Sequence, residues 1–166
     1  MLPARFRTPF LPAWLASLAI LAASFYLESV LGLMPCALCF SQRVALAGYT
    51  LVCFVAWLHG PGVRGIYRYM VAALVCALVG AMLAARHVWV QGVAGSSCPQ
   101  PMSRVFEQPW YEIVRSLLWS GSDCGSLTWS FIDLTLPEWS LVAFLLLASV
   151  PLSCLFAYRL RVLANA

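Results

Sequence analysis

Residues 33–58, LMPCALCFSQRVALAGYTLVCFVAWL, join a Cys-x-x-Cys pair and one arginine to a long apolar segment. That segment covers about residues 40–58, close to the length of about 20 mainly apolar residues that a helix needs to cross a bilayer. Comparable apolar segments lie at about residues 12–31, 66–85 and 141–158. The sequence therefore predicts an all-α membrane protein, in which residues 1–166 form a single integral membrane domain built as a four-transmembrane-helix bundle.

The composition excludes an ordinary water-soluble domain. Of the 166 residues, 63% are hydrophobic and 10% are charged, and the mean hydropathy is +0.87. Soluble domains carry about 25% charged residues. The net charge of +4 comes from arginines spread over short segments, with no basic patch interleaved with aromatic residues, so we expect a lipid bilayer and no nucleic acid as a partner.

The arginines also indicate an orientation. Six of the ten occur in pairs near the ends of the predicted spans, as Arg5 and Arg7, Arg64 and Arg68, and Arg159 and Arg161. Short loops rich in arginine stay in the cytoplasm. We therefore expect both termini to be cytoplasmic, with the turn before Cys39 and a long loop of about residues 87–140 on the opposite side of the membrane.

The seven cysteines divide by their predicted side of the membrane. Four lie on the outer side, at Cys36, Cys39, Cys98 and Cys124, where an oxidising compartment permits disulfides. Three lie inside spans, at Cys53, Cys76 and Cys154, where we expect them to act as small buried apolar residues. The outer four are candidates for two redox pairs.

The long outer loop contains the segment EQPWYEIVRSLLW, residues 107–119. Its apolar positions, with Phe106 just before it, fall on one helical face: Phe106, Trp110, Ile113, Val114, Leu117 and Leu118. We predict a short helix, and two placements stay open. It lies flat in the headgroup region as an interfacial helix, or it packs on the outer ends of the bundle.

Cys36 and Cys39 follow Pro35, which suits the entry to a helix. The unpaired N–H groups of a first helical turn favour negative charge and so favour a thiolate. Arg43, one turn after Cys39, would stabilise the same thiolate. Arg43 would lie just below the membrane interface. A charge there is costly in lipid and so is typical of a functional site, although an arginine can also extend its side chain to the headgroups.

Three interpretations compete for this Cys-x-x-Cys pair. A structural zinc site would want a second closely spaced pair, and Cys98 and Cys124 are far apart, so we expect no metal. A static disulfide staple is possible. A redox-active pair is favoured, because helix entry, arginine and membrane edge coincide.

The motifs PCALCFSQR, RHVWVQ, SSCPQP, SGSDC and LPEW, in this order on four predicted spans, resemble the DsbB family of bacterial inner-membrane thiol–quinone oxidoreductases. The resemblance covers almost the whole chain. It implies a protein-disulfide:quinone oxidoreductase in a bacterial inner membrane, with ubiquinone or menaquinone as cofactor. The implied partner is a DsbA-like periplasmic oxidase of the thioredoxin fold.

The resemblance also implies catalytic roles for the four outer cysteines. Cys98 would be attacked by the partner's thiolate to give a mixed disulfide. Cys124 would then be released and would attack Cys36. Cys39 would leave as a thiolate facing the quinone.

Two further residues match positions near the quinone in that family. Arg43 would bind the quinone headgroup and stabilise the Cys39 thiolate. His87, at the outer end of the third span, would lie beside the quinone, or would be an interfacial histidine without a role. No role is carried over to Gln42, where the family often has a charged residue, and Glu28 is assigned none.

Two other functions stay open from the sequence. The chain could be a non-enzymatic four-span membrane protein with a structural loop disulfide between Cys98 and Cys124. It could also be a quinone-linked oxidoreductase of the vitamin K epoxide reductase type. Against the latter, the Cys-x-x-Cys pair begins the second span and the loop cysteines come later in the chain.

Overall fold

The computed structural model describes residues 10–31, 37–93, 109–112, 130–131 and 134–164. Within these residues there are four long helices and one pair of two-residue strands. The helices are α1 (Phe10–Leu31), α2 (Ala37–His59), α3 (Val63–Val93) and α4 (Leu136–Ala164), and the antiparallel strands are β1 (Ser130–Phe131) and β2 (Leu134–Thr135). Each of the four helices is long and apolar enough to cross a membrane. The predicted all-α, four-span membrane fold is confirmed.

The helices pack unevenly around the bundle. α3 packs closely against α4 and α2, and α1 packs on α2, whereas α1 and α4 touch at few points. Trp14 of α1 stacks on Trp57 of α2 at a centroid distance of 6.2 Å and an interplanar angle of 2°. Because α1 is anchored to α2 and not to α4, space remains between α1 and α4 at the opposite end of the bundle.

The helices extend beyond the predicted apolar segments. α4 begins at Leu136, ahead of the predicted apolar segment, and the Glu138 side chain caps its first turn, which is one half of a capping box. Glu138 Oε2 accepts hydrogen bonds from the Thr135 N–H at 2.6 Å and from its hydroxyl at 2.9 Å. Of the predicted loop helix, the structure describes only residues 109–112, where Trp110, Tyr111 and Glu112 form a helical turn; the remainder lies outside the described residues.

The turn between α2 and α3 depends on a glycine with a positive φ. Gly60 has φ 55°, in the left-handed region that a residue with a Cβ rarely adopts, and its N–H donates to the Ala56 carbonyl at 3.2 Å. The Gly62 carbonyl then accepts from Ile66 N–H at 2.9 Å in the first turn of α3. This tight reversal makes α2 and α3 antiparallel neighbours.

Small residues on α3 allow the close approach of its neighbours. Four alanines form a buried stripe along this helix, at Ala73, Ala77, Ala81 and Ala84. Gly80 lies against the ring of Phe144 on α4 so closely that a Cβ added to Gly80 would overlap the ring. Helices in membranes associate largely through such small-residue contacts, because lipid supplies no hydrophobic force between them.

A proline inside α4 is compensated by a tyrosine from α2. Pro151 is buried, and it has no N–H to donate to the carbonyl of Leu147 four residues earlier. The hydroxyl of the fully buried Tyr49 donates to that Leu147 carbonyl at 3.0 Å. The freed backbone acceptor therefore has a partner in a region where lipid offers none.

The contact between Gly80 and Phe144 predicts an asymmetric response to two glycine substitutions. Gly80→Ala should lower the thermal stability of the detergent-solubilised protein, because overpacking costs about 1–3 kcal/mol. Gly48→Ala is the matched control, since its added Cβ would meet Cys76 Sγ at an ordinary 3.6 Å. Unfolding followed by circular dichroism measures both, and equal stability of the two variants would contradict the predicted clash.

The hydrogen bond from Tyr49 predicts coupling between two substitutions. Tyr49→Phe should destabilise the protein by about 1–2 kcal/mol, because it leaves the Leu147 carbonyl without a donor. In a Pro151→Ala background the same change should cost much less, since the new N–H of residue 151 can bond that carbonyl. A double-mutant cycle of unfolding free energies tests this, and purely additive effects would count against the compensation.

Candidate functional site

A cavity lies at the end of the bundle where α1 and α3 end and α2 and α4 begin. It encloses about 140 Å³ and has walls from all four of these helices. The lining residues are Ile20, Ser24, Leu27 and Glu28 of α1; Cys39, Gln42, Arg43 and Leu46 of α2; His87 of α3; and Leu136, Pro137, Ser140, Ala143, Phe144 and Leu147 of α4. Most of the wall is apolar, and its polar groups come from a few side chains.

One face of α2 supplies the chemically active side chains. Cys39, Gln42, Arg43 and Leu46 recur at the spacing i, i+3, i+4 and i+7, which places them on the same side of a helix. Cys39 is the third residue of α2 and so lies in its first turn. The N–H groups of a first turn have no acceptor within their own helix, and they create a partial positive charge near the Cys39 sulfur.

His87 lies at the buried end of a chain of polar contacts. Its side chain is fully buried, and its Nδ1 lies 3.2 Å from Gln42 Nε2 and 3.9 Å from Cys39 Sγ. The hydroxyl of Ser140 lies 3.0 Å from Gln42 Oε1 and 2.7 Å from the Pro137 carbonyl oxygen. These contacts join α2, α3 and α4 around one imidazole.

Arg43 connects α2 to α1 on the other side of the cavity. Its Nη1 forms an ion pair with Glu28 Oε2, and its Nη2 donates to the Ser24 carbonyl at 3.0 Å. The guanidinium also lies 4.8 Å from the centroid of the Phe25 ring. The charge of Arg43 is therefore balanced by a carboxylate within the bundle and shared with a backbone carbonyl.

The size and lining of the cavity suit one planar ring with polar edges. An apolar cavity of about 150 Å³ is known to bind benzene. The present cavity is of that size, with Phe144 and Leu147 on its apolar wall and Arg43 and His87 among its polar groups. A thiol, a cation and an imidazole therefore line one ring-sized space.

The structure brings three of the predicted site residues together: Cys39, Arg43 and His87 line the same cavity. Cys36, Cys98 and Cys124 lie outside the described residues. Their positions therefore stay predictions from the sequence.

The other cysteines are inside helices, as predicted, but their burial differs. Cys53 is buried, whereas Cys76 and Cys154 are only half-buried. None of these three residues lines the cavity described above. Their sequence interpretation as small apolar residues fits Cys53 best.

Sequence reasoning assigned no role to Glu28, Gln42 and Ser140, all of which line the cavity. The signal for Gln42 was its spacing of three residues from Cys39, which predicts a common helical face. Glu28 and Ser140 carry no comparable local signal, because their partners are 15 and 98 residues away along the chain.

Comparison with known proteins places similar chains in one family. The family model described as "Disulfide bond formation protein DsbB" matches residues 6–154. A disulfide bond formation protein B 2 of Pseudomonas putida is 65% identical over 99% of both chains, and one of Pseudomonas entomophila is 56% identical over 96% of both. A disulfide bond formation protein B of Xanthomonas campestris pv. campestris is 42% identical over 93% of this chain and 92% of its own.

The ion pair between Glu28 and Arg43 predicts an energetic coupling between α1 and α2. Its side chains are 34% and 17% exposed, so the pair should be worth more than the ~1 kcal/mol of exposed pairs and less than the ~3 kcal/mol lost on breaking buried ones. Glu28→Gln and Arg43→Gln should each destabilise the protein, and the double variant should lose less than their sum. Glu112→Gln, which removes an exposed carboxylate, is the control, and additive losses in the cycle would refute the coupling.

Proposed function

This chain belongs to the DsbB family, and we propose on that premise that it reoxidises a periplasmic DsbA-like thiol oxidase and passes the electrons to a membrane quinone. The chain is a multi-pass membrane protein of a family that forms disulfide bonds in the bacterial inner membrane. The proposed activity is that of a protein-disulfide:quinone oxidoreductase. Ubiquinone and menaquinone are the candidate acceptors.

The observation that carries this proposal is the position of Cys39 on the wall of a ring-sized cavity. A quinone ring has two apolar faces and two carbonyl oxygens at its edges. The cavity offers apolar walls to such faces, and Arg43 and His87 supply groups that can hydrogen-bond a carbonyl oxygen. When bound, the quinone would accept two electrons and two protons.

Cys39 has the local environment that thiol chemistry needs. Thiol–disulfide exchange proceeds through a thiolate, and the first turn of α2 favours the charged sulfur. Arg43 lies one turn further along the same face, so its cation adds to the positive potential on that side of the cavity. Glu28 offsets part of that charge, which leaves the helix start as the more direct stabiliser of the thiolate.

The four outer cysteines would form a relay of two pairs. The partner's dithiol reduces a disulfide between Cys98 and Cys124, with Cys98 as the sulfur attacked. The resulting dithiol reduces a disulfide between Cys36 and Cys39, with Cys124 attacking Cys36 and Cys39 leaving as a thiolate. Oxidation of the last pair restores its disulfide and releases two electrons and two protons to the acceptor.

This relay requires the redox cysteines to face the periplasm and both termini to face the cytoplasm. The pairs of arginines beside the helices support that orientation. DsbA is itself a strong oxidant at about −120 mV, so its reoxidation needs a stronger final acceptor. A quinone can supply that oxidising power. Because it is lipid-soluble, it can also reach a cavity formed by membrane-spanning helices.

The proposed function predicts that cysteine variants differ in activity, depending on whether the cysteine belongs to the relay. Cys36→Ser and Cys39→Ser should abolish quinone-dependent oxidation of a reduced DsbA-like protein, because neither variant can form the second disulfide. Cys154→Ala is the control and should keep wild-type turnover, since Cys154 does not line the cavity. Loss of quinone absorbance and loss of partner thiols, measured together, report the reaction.

The same assay separates the proposal from a structural role for the loop disulfide. In a Cys124→Ser variant, Cys98 should form a trapped mixed disulfide with the partner that is visible on a non-reducing gel. Normal turnover in Cys39→Ser would overturn the proposed relay. Failure to trap any adduct at Cys98, with active partner present, would favour a non-enzymatic four-span protein.

A further inference from the structure

The imidazole of His87 has two neighbours competing for one ring nitrogen. Gln42 Nε2 lies 3.2 Å from His87 Nδ1, and Cys39 Sγ lies 3.9 Å from the same atom. A neutral imidazole nitrogen is either a donor or an acceptor, and an amide Nε2 can only donate. The contact with Gln42 therefore requires Nδ1 to be unprotonated, which puts the ring proton on Nε2.

Ser140 holds Gln42 in this orientation. Its hydroxyl lies 3.0 Å from Gln42 Oε1 and so can donate to it, which leaves the amide NH₂ directed at His87. The same hydroxyl lies 2.7 Å from the Pro137 carbonyl oxygen, a second acceptor for its one hydrogen. Ser140 can therefore change its acceptor without moving its oxygen.

A second arrangement satisfies the same atoms after His87 gains a proton. If the Gln42 amide rotates by half a turn, Oε1 accepts from a protonated Nδ1 and Nε2 donates to Ser140 Oγ. Ser140 then donates to the Pro137 carbonyl. Each of these contacts again joins one donor to one acceptor, which matters because an unmatched buried polar group costs about 1–3 kcal/mol.

We propose that Gln42, held by Ser140, is the positioning residue that lets His87 Nδ1 accept the proton of the Cys39 thiol. The step applies to a Cys39 sulfur that has taken up a proton after leaving as a thiolate: it moves that proton from Sγ to His87 Nδ1 and turns a neutral pair into a thiolate and an imidazolium. It involves no change of oxidation state. This inference rests on the proposed function, since a Cys39 thiolate is useful only if that cysteine takes part in exchange.

The surroundings of His87 support a proton transfer that stays within the site. The other ionisable groups on the cavity wall are Cys39, Arg43 and Glu28, and the last two are paired with each other. The residues that α4 contributes to the wall include no ionisable side chain. Gln42 and Ser140 are neutral, so they can follow the proton on His87 without adding a charge in the bundle.

The tautomer of His87 can be measured directly. The chain has two histidines, His59 and His87, so ¹⁵N-histidine labelling gives two sets of ring signals, and the exposed His59 is an internal reference for folding. In the oxidised wild-type protein in lipid nanodiscs, Nδ1 of His87 should be unprotonated and Nε2 protonated. Gln42→Glu should protonate Nδ1, and Gln42→Leu should give a mixture of tautomers.

Two spectral outcomes would overturn the proposal. One is a protonated Nδ1 in the oxidised wild-type protein. The other is a His87 spectrum that is the same in Gln42→Leu as in the wild type. Because these signals do not depend on turnover, they test the inference even if the proposed oxidoreductase activity fails.

Kinetics test the consequence for the reaction. Proton transfer by a positioned side chain is worth about 10²–10⁴-fold, and we expect Gln42→Leu to lower kcat by about tenfold with little change in KM for the quinone. Ser140→Ala should act in the same direction. Ser149→Ala is its matched control, since Ser149 makes the same hydroxyl-to-carbonyl bond within α4, to Leu146 at 2.7 Å, but lies outside the cavity wall.

The kinetic outcomes distinguish the role of Gln42 from the proposed oxidoreductase activity. An unchanged kcat in Gln42→Leu, with an active wild-type protein, would overturn the role given to Gln42 and leave the oxidoreductase activity standing. A wild-type protein with no quinone-dependent turnover would remove the proposed function, while the His87 spectra would still decide the tautomer.

Discussion

Within a bilayer, each polar group of a helix must find its partner inside the protein, and this constraint governs the structure. The Tyr49 hydroxyl donates to the Leu147 carbonyl, which Pro151 cannot bond because it has no N–H. Arg43 has its charge balanced by Glu28 on the neighbouring helix. These polar contacts cross from helix to helix, so they define which helices are neighbours as well as satisfying single groups.

The chemically active residues gather at one end of the bundle. α1 and α4 touch at few points, and the cavity lies where they separate. Because Gly80 has no side chain, the ring of Phe144 can lie against α3. That ring is part of the apolar wall of the cavity. Five polar side chains on the cavity wall have partners on helices other than their own, namely Glu28, Gln42, Arg43, His87 and Ser140. The small residues that let the helices approach and the polar side chains that bond between helices therefore form the cavity together.

Helix faces were predictable from local spacing, and helix ends were less so. The sequence predicts that Cys39, Gln42 and Arg43 lie on one helical face, because side chains three and four residues apart share a face. α4 starts at Leu136, before the apolar segment that hydropathy marks, because the Glu138 carboxylate caps its first turn by accepting from the Thr135 N–H. α3 runs six residues past His87, beyond the apolar segment that hydropathy marks.

Composition and the lengths of apolar segments were enough for the membrane class and the number of spans, because both depend on the transfer of side chains from water to lipid. The Cys-x-x-Cys pair beside an arginine was enough to indicate thiol chemistry. Only the tertiary structure decided that Arg43 pairs with Glu28 and that Gln42 connects Ser140 to His87. These partners are between 15 and 98 residues apart in the chain, and their contact depends on how the helices rotate and pack, which no local pattern encodes.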